Sequence, residues 1–171
     1  DNKWIWNGHF PPFYSTCIAI VAFLLKLPVL WASKLVNWLA AGWLLLIVGR
    51  SSSIIHPLSV AILLCCGICL KLWVHTWSEP LFICFLLLWI HYYARGIQTH
   101  FWQILLVGSL LILTRYIGAF LIVFVLIHGV VIRRNDRSKA FLLGFSWSML
   151  IASVLLINYY LSNEIYGGPR F

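Results

Sequence analysis

The chain has 171 residues, of which 63% are hydrophobic and 9% are charged. Soluble domains carry about 25% charged residues, so this composition excludes an ordinary soluble domain. The formal net charge is +8, but the basic residues stand between apolar runs as membrane-loop anchors do, and this excludes a nucleic-acid interface.

Long uncharged runs, such as residues 58–70, 81–90 and 119–127, predict helices that lie in lipid. A helix satisfies its backbone hydrogen bonds internally, which a segment in hydrocarbon must do. The predicted fold class is therefore all-α, a polytopic transmembrane bundle of about six or seven short helices. We expect one transmembrane domain over residues 1–171, belonging to a longer chain.

Breaks in the apolar pattern give the predicted segments in chain order. They run over about residues 13–30, 31–49, 54–77, 79–95, 101–113, 117–132 and 139–161. Lys26 and Pro28 interrupt the first segment, which we expect to lie along the outer membrane face rather than cross it. Several segments are shorter than the roughly 20 residues of a lone span, which is typical of proteins that enclose a cavity.

Three further breaks define the starts and ends of the later segments. Pro57 is expected in the first turn of the third segment, after a run of serines. Glu79 is expected to cap the fourth segment, with Pro80 at its first helical position. Residues 114–116 separate the fifth segment from the sixth.

The connection over residues 133–139 carries four basic residues and predicts the orientation of the bundle. Short loops rich in Lys and Arg stay in the cytoplasm. Counting crossings backward and forward from this loop places residues 75–80, 114–116 and 158–171 on the outer side. We expect an integral membrane protein of a bacterial plasma membrane.

Glu79 and Arg115 are the strongest candidates for a catalytic role. Placing an ionisable side chain at the edge of a membrane costs free energy, so such residues are functional candidates by default. Each lies at a break between two apolar runs, and the predicted topology puts both at the same face in helices that can touch. A purely structural alternative remains open for each. Glu79 would then stabilise a helix N-terminus, and Arg115 would be an interface anchor or the salt-bridge partner of Glu79.

Other polar residues are predicted on the same outer side. They are His75, Tyr116, Glu164 and Arg170. Cys65, Cys66 and Cys69 fall inside an apolar run and are interpreted as packing residues, because no histidine stands at zinc-like spacing from them.

Five short elements, in order, resemble motifs of the GT-C superfamily of membrane glycosyltransferases. Residues 10–14 resemble its Pro-Pro-aromatic element, and residues 32–37 its Ala-Ala-Arg-Leu-Leu-Asn stretch. Residues 78–82 resemble its Ser/Thr-Glu-Pro-Leu-Phe element, and residues 113–118 its Leu-Thr-Arg-Tyr-x-Gly element. Asn158 to Tyr160, followed by residues 167–170, resembles the exit from a later span. The nearest groups are the protein O-mannosyltransferases and the aminoarabinose transferases.

The resemblance implies transfer of a sugar from a polyprenyl-phosphate carrier at the outer membrane face. The acceptor would be a lipid, a glycan or a protein, and some members need a divalent metal. In this chain it implies catalytic roles for Glu79 and Arg115. It implies substrate binding by His75, Tyr116, Glu164, Arg170 and Tyr14.

One family feature differs here. The catalytic acid of the family lies upstream of the Pro-Pro element, where this chain has only Asp1. We therefore expect that acid to lie before residue 1 or to be missing. Two other functions stay open, a membrane transporter and a non-catalytic subunit of a membrane complex.

Overall fold

The computed structural model describes residues 12–50, 57–66, 78–132 and 136–162. Every regular element in these ranges is a helix, which confirms the all-α prediction for this part of the chain. In order they are α1 (Phe13–Leu25), α2 (Val29–Arg50), α3 (Pro57–Leu64), α4 (Glu79–Arg95), α5 (Phe101–Thr114), α6 (Phe120–Ile127) and α7 (Arg137–Ser162). A 3₁₀ turn over Tyr116–Ala119 leads into α6, and a π-helical turn over His128–Ile132 follows it.

The connection between α1 and α2 lies at the predicted break. Lys26 adopts a left-handed conformation with φ of 53°, and its backbone N–H donates to the carbonyl of Ala22, which closes α1. Pro28 has no N–H to donate, and its carbonyl instead accepts from Ala32 at 3.0 Å in the first turn of α2. The first predicted segment therefore contains all of α1 and only the first two residues of α2, which begins at Val29 rather than at Trp31.

The third predicted segment is wrong in its length. Pro57 lies in the first turn of α3, as expected, but the helix ends at Leu64 instead of continuing unbroken to residue 77. Cys65 and Cys66 form a turn, and a glycine follows them in the sequence. Because glycine has poor helix propensity, the helix is weakest at this point. Residues 54–56 and 67–77 lie outside the described part of the chain.

The centre of the bundle is the packing of α4 against α5. α4 also packs on α2, and α5 also packs on α1 and α7. Side chains at helical spacing along these faces are fully buried. They include Leu88 of α4 with Ile104 and Leu111 of α5. A short connection joins α4 to α5, so the start of α4 and the end of α5 lie at the same end of the bundle.

α7 closes the other side of α5 through Trp147. This indole is fully buried, and its Nε1–H donates to the carbonyl of Leu105 at 3.2 Å. The contact is possible because Gly108 leaves space for the ring one turn further along α5.

Two described helices are long and apolar enough to cross a membrane, over residues Val29–Ile47 and Arg137–Leu161. Three shorter apolar helices accompany them, at Phe13–Leu25, Phe101–Thr114 and Tyr116–Ile127. The outward faces carry many large apolar side chains, among them Phe23 at 84% and Trp102 at 74% of full exposure.

Candidate functional site

Arg115 occupies the break between α5 and the 3₁₀ turn. Its backbone is extended, with φ of −151° and ψ of 134°, and its N–H still donates to the carbonyl of Leu111 at 3.1 Å. Its own carbonyl accepts from the N–H of Gly118 at 2.9 Å, which starts the next helical turn. The helix therefore stops for one residue, and the side chain of Arg115 emerges at that point.

Glu79 is the first residue of α4 and forms an ion pair with Arg115 through Oε1 and Nη1. About a third of each side chain is exposed, so the pair lies at the edge of the bundle rather than in its core. The expected proximity of the two residues is confirmed. The same ion pair is the contact expected if Arg115 is the salt-bridge partner of Glu79.

The expectation that Glu79 caps α4 with Pro80 as its first residue is wrong by one position. α4 begins at Glu79, Ser78 precedes it without a side-chain cap, and Pro80 is the second residue. Pro80 is still tolerated, because the first N–H groups of a helix have no partner within it. The Glu79 carboxylate reaches Arg115 on the neighbouring helix end.

Gly118 holds the segment after Arg115 against α5. A Cβ atom at this position would lie 3.1 Å from the backbone N and Cα of Ile112, and this backbone cannot move without distorting α5. We therefore expect Gly118→Ala to shift the 3₁₀ turn and to lower any activity that depends on Arg115 by roughly tenfold or more. Gly42→Ala is the matched control, since nothing lies within 4 Å of the added Cβ. Equal activity of the two variants would show that the close approach is unimportant.

Tyr14 approaches the same end from the start of α1. Its side chain is buried, and its hydroxyl accepts from Nδ2 of Asn37 at 3.4 Å. Phe13, the residue before it, packs on Phe85 of α4, with ring centroids 5.9 Å apart. Tyr14 therefore lies on a buried polar patch of α2, formed by Ser33 and Asn37, and its neighbour Phe13 contacts α4.

Tyr116 connects the site to α7. Its hydroxyl accepts from Nδ2 of Asn158 at 3.0 Å, near the C-terminal end of that helix. Asn158 is buried, so the bond fixes the 3₁₀ turn relative to α7.

Of the predicted site residues, the structure pairs Glu79 with Arg115, places Tyr116 directly after Arg115 in the 3₁₀ turn, and buries Tyr14 against α2. The other three, His75, Glu164 and Arg170, lie outside the described residues. Sequence reasoning about single side chains missed Ser33, Asn37 and Asn158. Ser33 and Asn37 are four residues apart, which places both on one helix face, and this spacing was a signal for the patch.

A second polar group lies at the opposite end of α4. The buried Asp136 accepts from Nε2 of Gln98 at 2.8 Å, and Nζ of Lys139 donates to the Gln98 carbonyl at 3.0 Å. Nearby, the hydroxyl of Tyr93 and Nδ1 of His128 are 2.6 Å apart. The Gln98 contacts join the α4–α5 connection to the start of α7, and the Tyr93–His128 contact joins α4 to the π-helical turn after α6.

Within the described residues, no group of three or more His, Cys, Asp or Glu side chains is placed to hold a metal ion. The packing interpretation is wrong for Cys65 and Cys66, because both are exposed in the turn after α3. Cys69 lies outside the described residues.

The exposed thiols of Cys65 and Cys66 contribute little to packing. We expect the triple replacement of Cys65, Cys66 and Cys69 by alanine to leave activity and expression within about twofold of wild type. Loss of activity in a folded triple variant would show a chemical role for at least one thiol. Cys84→Ala is a useful contrast, because Cys84 is fully buried against the core and its replacement leaves a cavity.

No family model, curated protein or solved structure matches this chain.

Proposed function

We propose that this protein is an integral membrane protein that transfers a sugar from a polyprenyl-phosphate carrier to an acceptor. The membrane part of the proposal is supported by the two spanning-length helices and by the apolar outward faces of α2 and α7. Monomeric soluble proteins rarely expose contiguous apolar patches above a few hundred Å². In a membrane, lipid would cover these apolar faces without the free-energy cost of exposing them to water.

Extraction of membranes tests this part of the proposal. We expect the protein to remain in the membrane pellet after washing with alkaline carbonate and to dissolve only in detergent, because a buried apolar surface of this size does not leave lipid. Release by carbonate alone would contradict an integral protein and would remove the basis of the transferase proposal.

The observation that carries the reaction is the Glu79–Arg115 pair at the break between apolar helices. A polyprenyl-phosphate sugar places a phosphodiester at the boundary between lipid and water, where a partly exposed arginine can meet it. Arginine presents five N–H donors in a planar fork and stays charged at all relevant pH values. The contact with Glu79 uses one terminal nitrogen, so donors remain for phosphate oxygens.

The proposed reaction balances without a redox partner. An acceptor hydroxyl attacks the anomeric carbon, the bond from that carbon to the phosphate oxygen breaks, and the polyprenyl phosphate leaves. Arg115 stabilises the negative charge that develops on the leaving phosphate. Glu79 fixes the direction of the guanidinium.

The acceptor proton passes to a general base, which the resemblance places upstream of the Pro-Pro element. Some members of the GT-C superfamily need a divalent metal. The proposed roles of Arg115 and Glu79 do not depend on a metal.

A transfer assay tests the proposal. Membranes that contain the full-length protein, with whatever residues precede residue 1, are given polyprenyl phosphate linked to radiolabelled glucose, mannose or arabinose, with lipid, glycan and protein acceptors. We expect label to move to one class of acceptor and polyprenyl phosphate to be released in equal amount. Absence of transfer over the whole panel would contradict the transferase and would favour a transporter or a non-catalytic subunit.

A further inference from the structure

The buried amide of Asn37 is the polar group in the site whose hydrogen bonding is incomplete. Asn37 is fully buried, its Nδ2 contacts the Tyr14 hydroxyl at 3.4 Å, and its Oδ1 has no partner among the described residues. If the amide is turned by 180°, the nitrogen takes the unpartnered position instead. Either orientation leaves one strong hydrogen-bonding atom unused.

An unpartnered polar atom inside an apolar bundle lowers the stability of the fold. A buried donor or acceptor without a partner costs about 1–3 kcal/mol, and a leucine of similar shape would avoid that cost. The remaining bond, at 3.4 Å, is longer than the usual 2.7–3.2 Å range and compensates poorly. The amide therefore fits a role in binding better than a role in stability.

The surroundings of Asn37 indicate the chemistry of its ligand. They are neutral and rich in hydroxyl groups: Ser33 lies one turn before it, and the hydroxyl of Tyr14 contacts it. Phe13, next to Tyr14, packs on Phe85 of α4, the helix that begins at Glu79. A phosphate belongs at Arg115, whereas an amide with a free donor or acceptor pairs best with an uncharged hydroxyl. Sugar hydroxyls have this character and are attached directly to the phosphate in the proposed donor.

We infer that Asn37 is a sugar-hydroxyl subsite, next to the phosphate position at Arg115. This inference rests on the proposed function and names the part of the donor that each residue recognises. Tyr14 covers the amide in the free protein, and its long bond to Asn37 is easily exchanged for a bond to the sugar. The ring of Tyr14 then stacks against the sugar.

Binding of two kinds of short lipid distinguishes the phosphate position at Arg115 from the sugar subsite at Asn37. One is farnesyl phosphate, and the other is farnesyl phosphate linked to glucose, mannose or arabinose. Their Kd values are measured on the purified full chain in lipid nanodiscs. Wild type is expected to prefer one sugar-bearing lipid by about tenfold, the value of a good hydrogen bond. Asn37→Leu is expected to remove this preference while it binds farnesyl phosphate as wild type does.

The melting temperature of Asn37→Leu distinguishes a binding role from a structural role, because only a structural role predicts a lower value than that of wild type. Because leucine replaces an incompletely bonded amide, Asn37→Leu is expected to melt at the same temperature as wild type or higher. Lower stability would show that the amide supports the fold. Asn37→Ala provides a second variant if the leucine does not fit, and Ser109→Ala, whose hydroxyl bonds its own helix at Leu105, is the control.

The outcomes separate the two proposals. The subsite is overturned if a folded Asn37 variant keeps the sugar preference, or if wild type shows no preference. Both outcomes leave the phosphate site intact. Failure of wild type to bind either lipid overturns the proposed function and the subsite with it. Loss of the preference alone, with farnesyl phosphate binding unchanged, supports the inference.

Discussion

Arg115→Ala is expected to lower sugar transfer by roughly 10²–10³-fold, which is the usual effect of removing one group that stabilises transition-state charge. The leaving phosphate gains negative charge as the glycosidic bond breaks, and no other described cation is paired with Glu79 at this end. Release of polyprenyl phosphate and appearance of labelled product are measured together in membranes, at equal protein amounts.

The variant is expected to fold, which makes the result interpretable. Both members of the pair are about one-third exposed, so water can solvate Glu79 after Arg115 is removed. Exposed ion pairs contribute about 0–1 kcal/mol to stability. Expression and melting temperature of Arg115→Ala should therefore stay close to those of wild type.

Two further variants separate charge from geometry. Arg115→Lys keeps a positive charge but loses the planar fork, so we expect partial activity, between alanine and wild type. Arg95→Ala removes an arginine from the opposite end of α4, roughly 25 Å away along the helix, and should keep activity. A fully active and well-expressed Arg115→Ala protein would overturn the assignment, and the pair would then be structural.

Local sequence signals predicted most helix ends, because each has a short-range chemical cause. Pro28 lacks an N–H, residues 114–116 interrupt an apolar run, and the start of α5 at Phe101 follows a polar connection. Such features act within one or two turns of the helix that they limit. The end of α3 at Leu64 was missed because the apolar pattern continues through Cys65 and Cys66 without a charge.

The Glu79–Arg115 contact was predictable for a different reason. Two helices joined by a short connection are antiparallel neighbours, so the break before one and the break after the other meet at the same end. The bond between Tyr14 and Asn37 was not predictable in this way, because it depends on how α1 lies across α2. The same holds for Asn158 and Tyr116, which are 42 residues apart in the chain.

The contact between α5 and α7 depends on the absence of a side chain at Gly108. A Cβ atom placed there would lie 2.7 Å from Cε2 of Trp147 and closer still to Cζ2, which is a steric overlap. The indole cannot easily move away, because it is fully buried and its Nε1–H is bonded to Leu105 in α5 itself. Small residues at helix contacts allow this close approach in membrane bundles as in soluble ones.

Gly108→Ala is therefore expected to destabilise the protein by about 1–3 kcal/mol, the usual cost of overpacking a well-packed core. Gly42→Ala, also within a helix but with open space around the added Cβ, should be neutral or gain up to about 1 kcal/mol from helix propensity. Melting of the purified variants in the same detergent, followed by intrinsic fluorescence and by gel filtration of the soluble fraction, measures the difference.

Trp147→Phe shows whether the overlap is the cause. Alone, it removes buried contacts and should destabilise, because the smaller ring leaves a cavity beside α5. In the double variant with Gly108→Ala, the new methyl group fills part of that space. The double variant should therefore lose less stability than the sum of the two single losses. Simple additivity, or a Gly108→Ala protein as stable as Gly42→Ala, would mean that α7 packs on α5 in another way. The position of Asn158 beside Tyr116 would then need revision as well, since α7 carries Asn158.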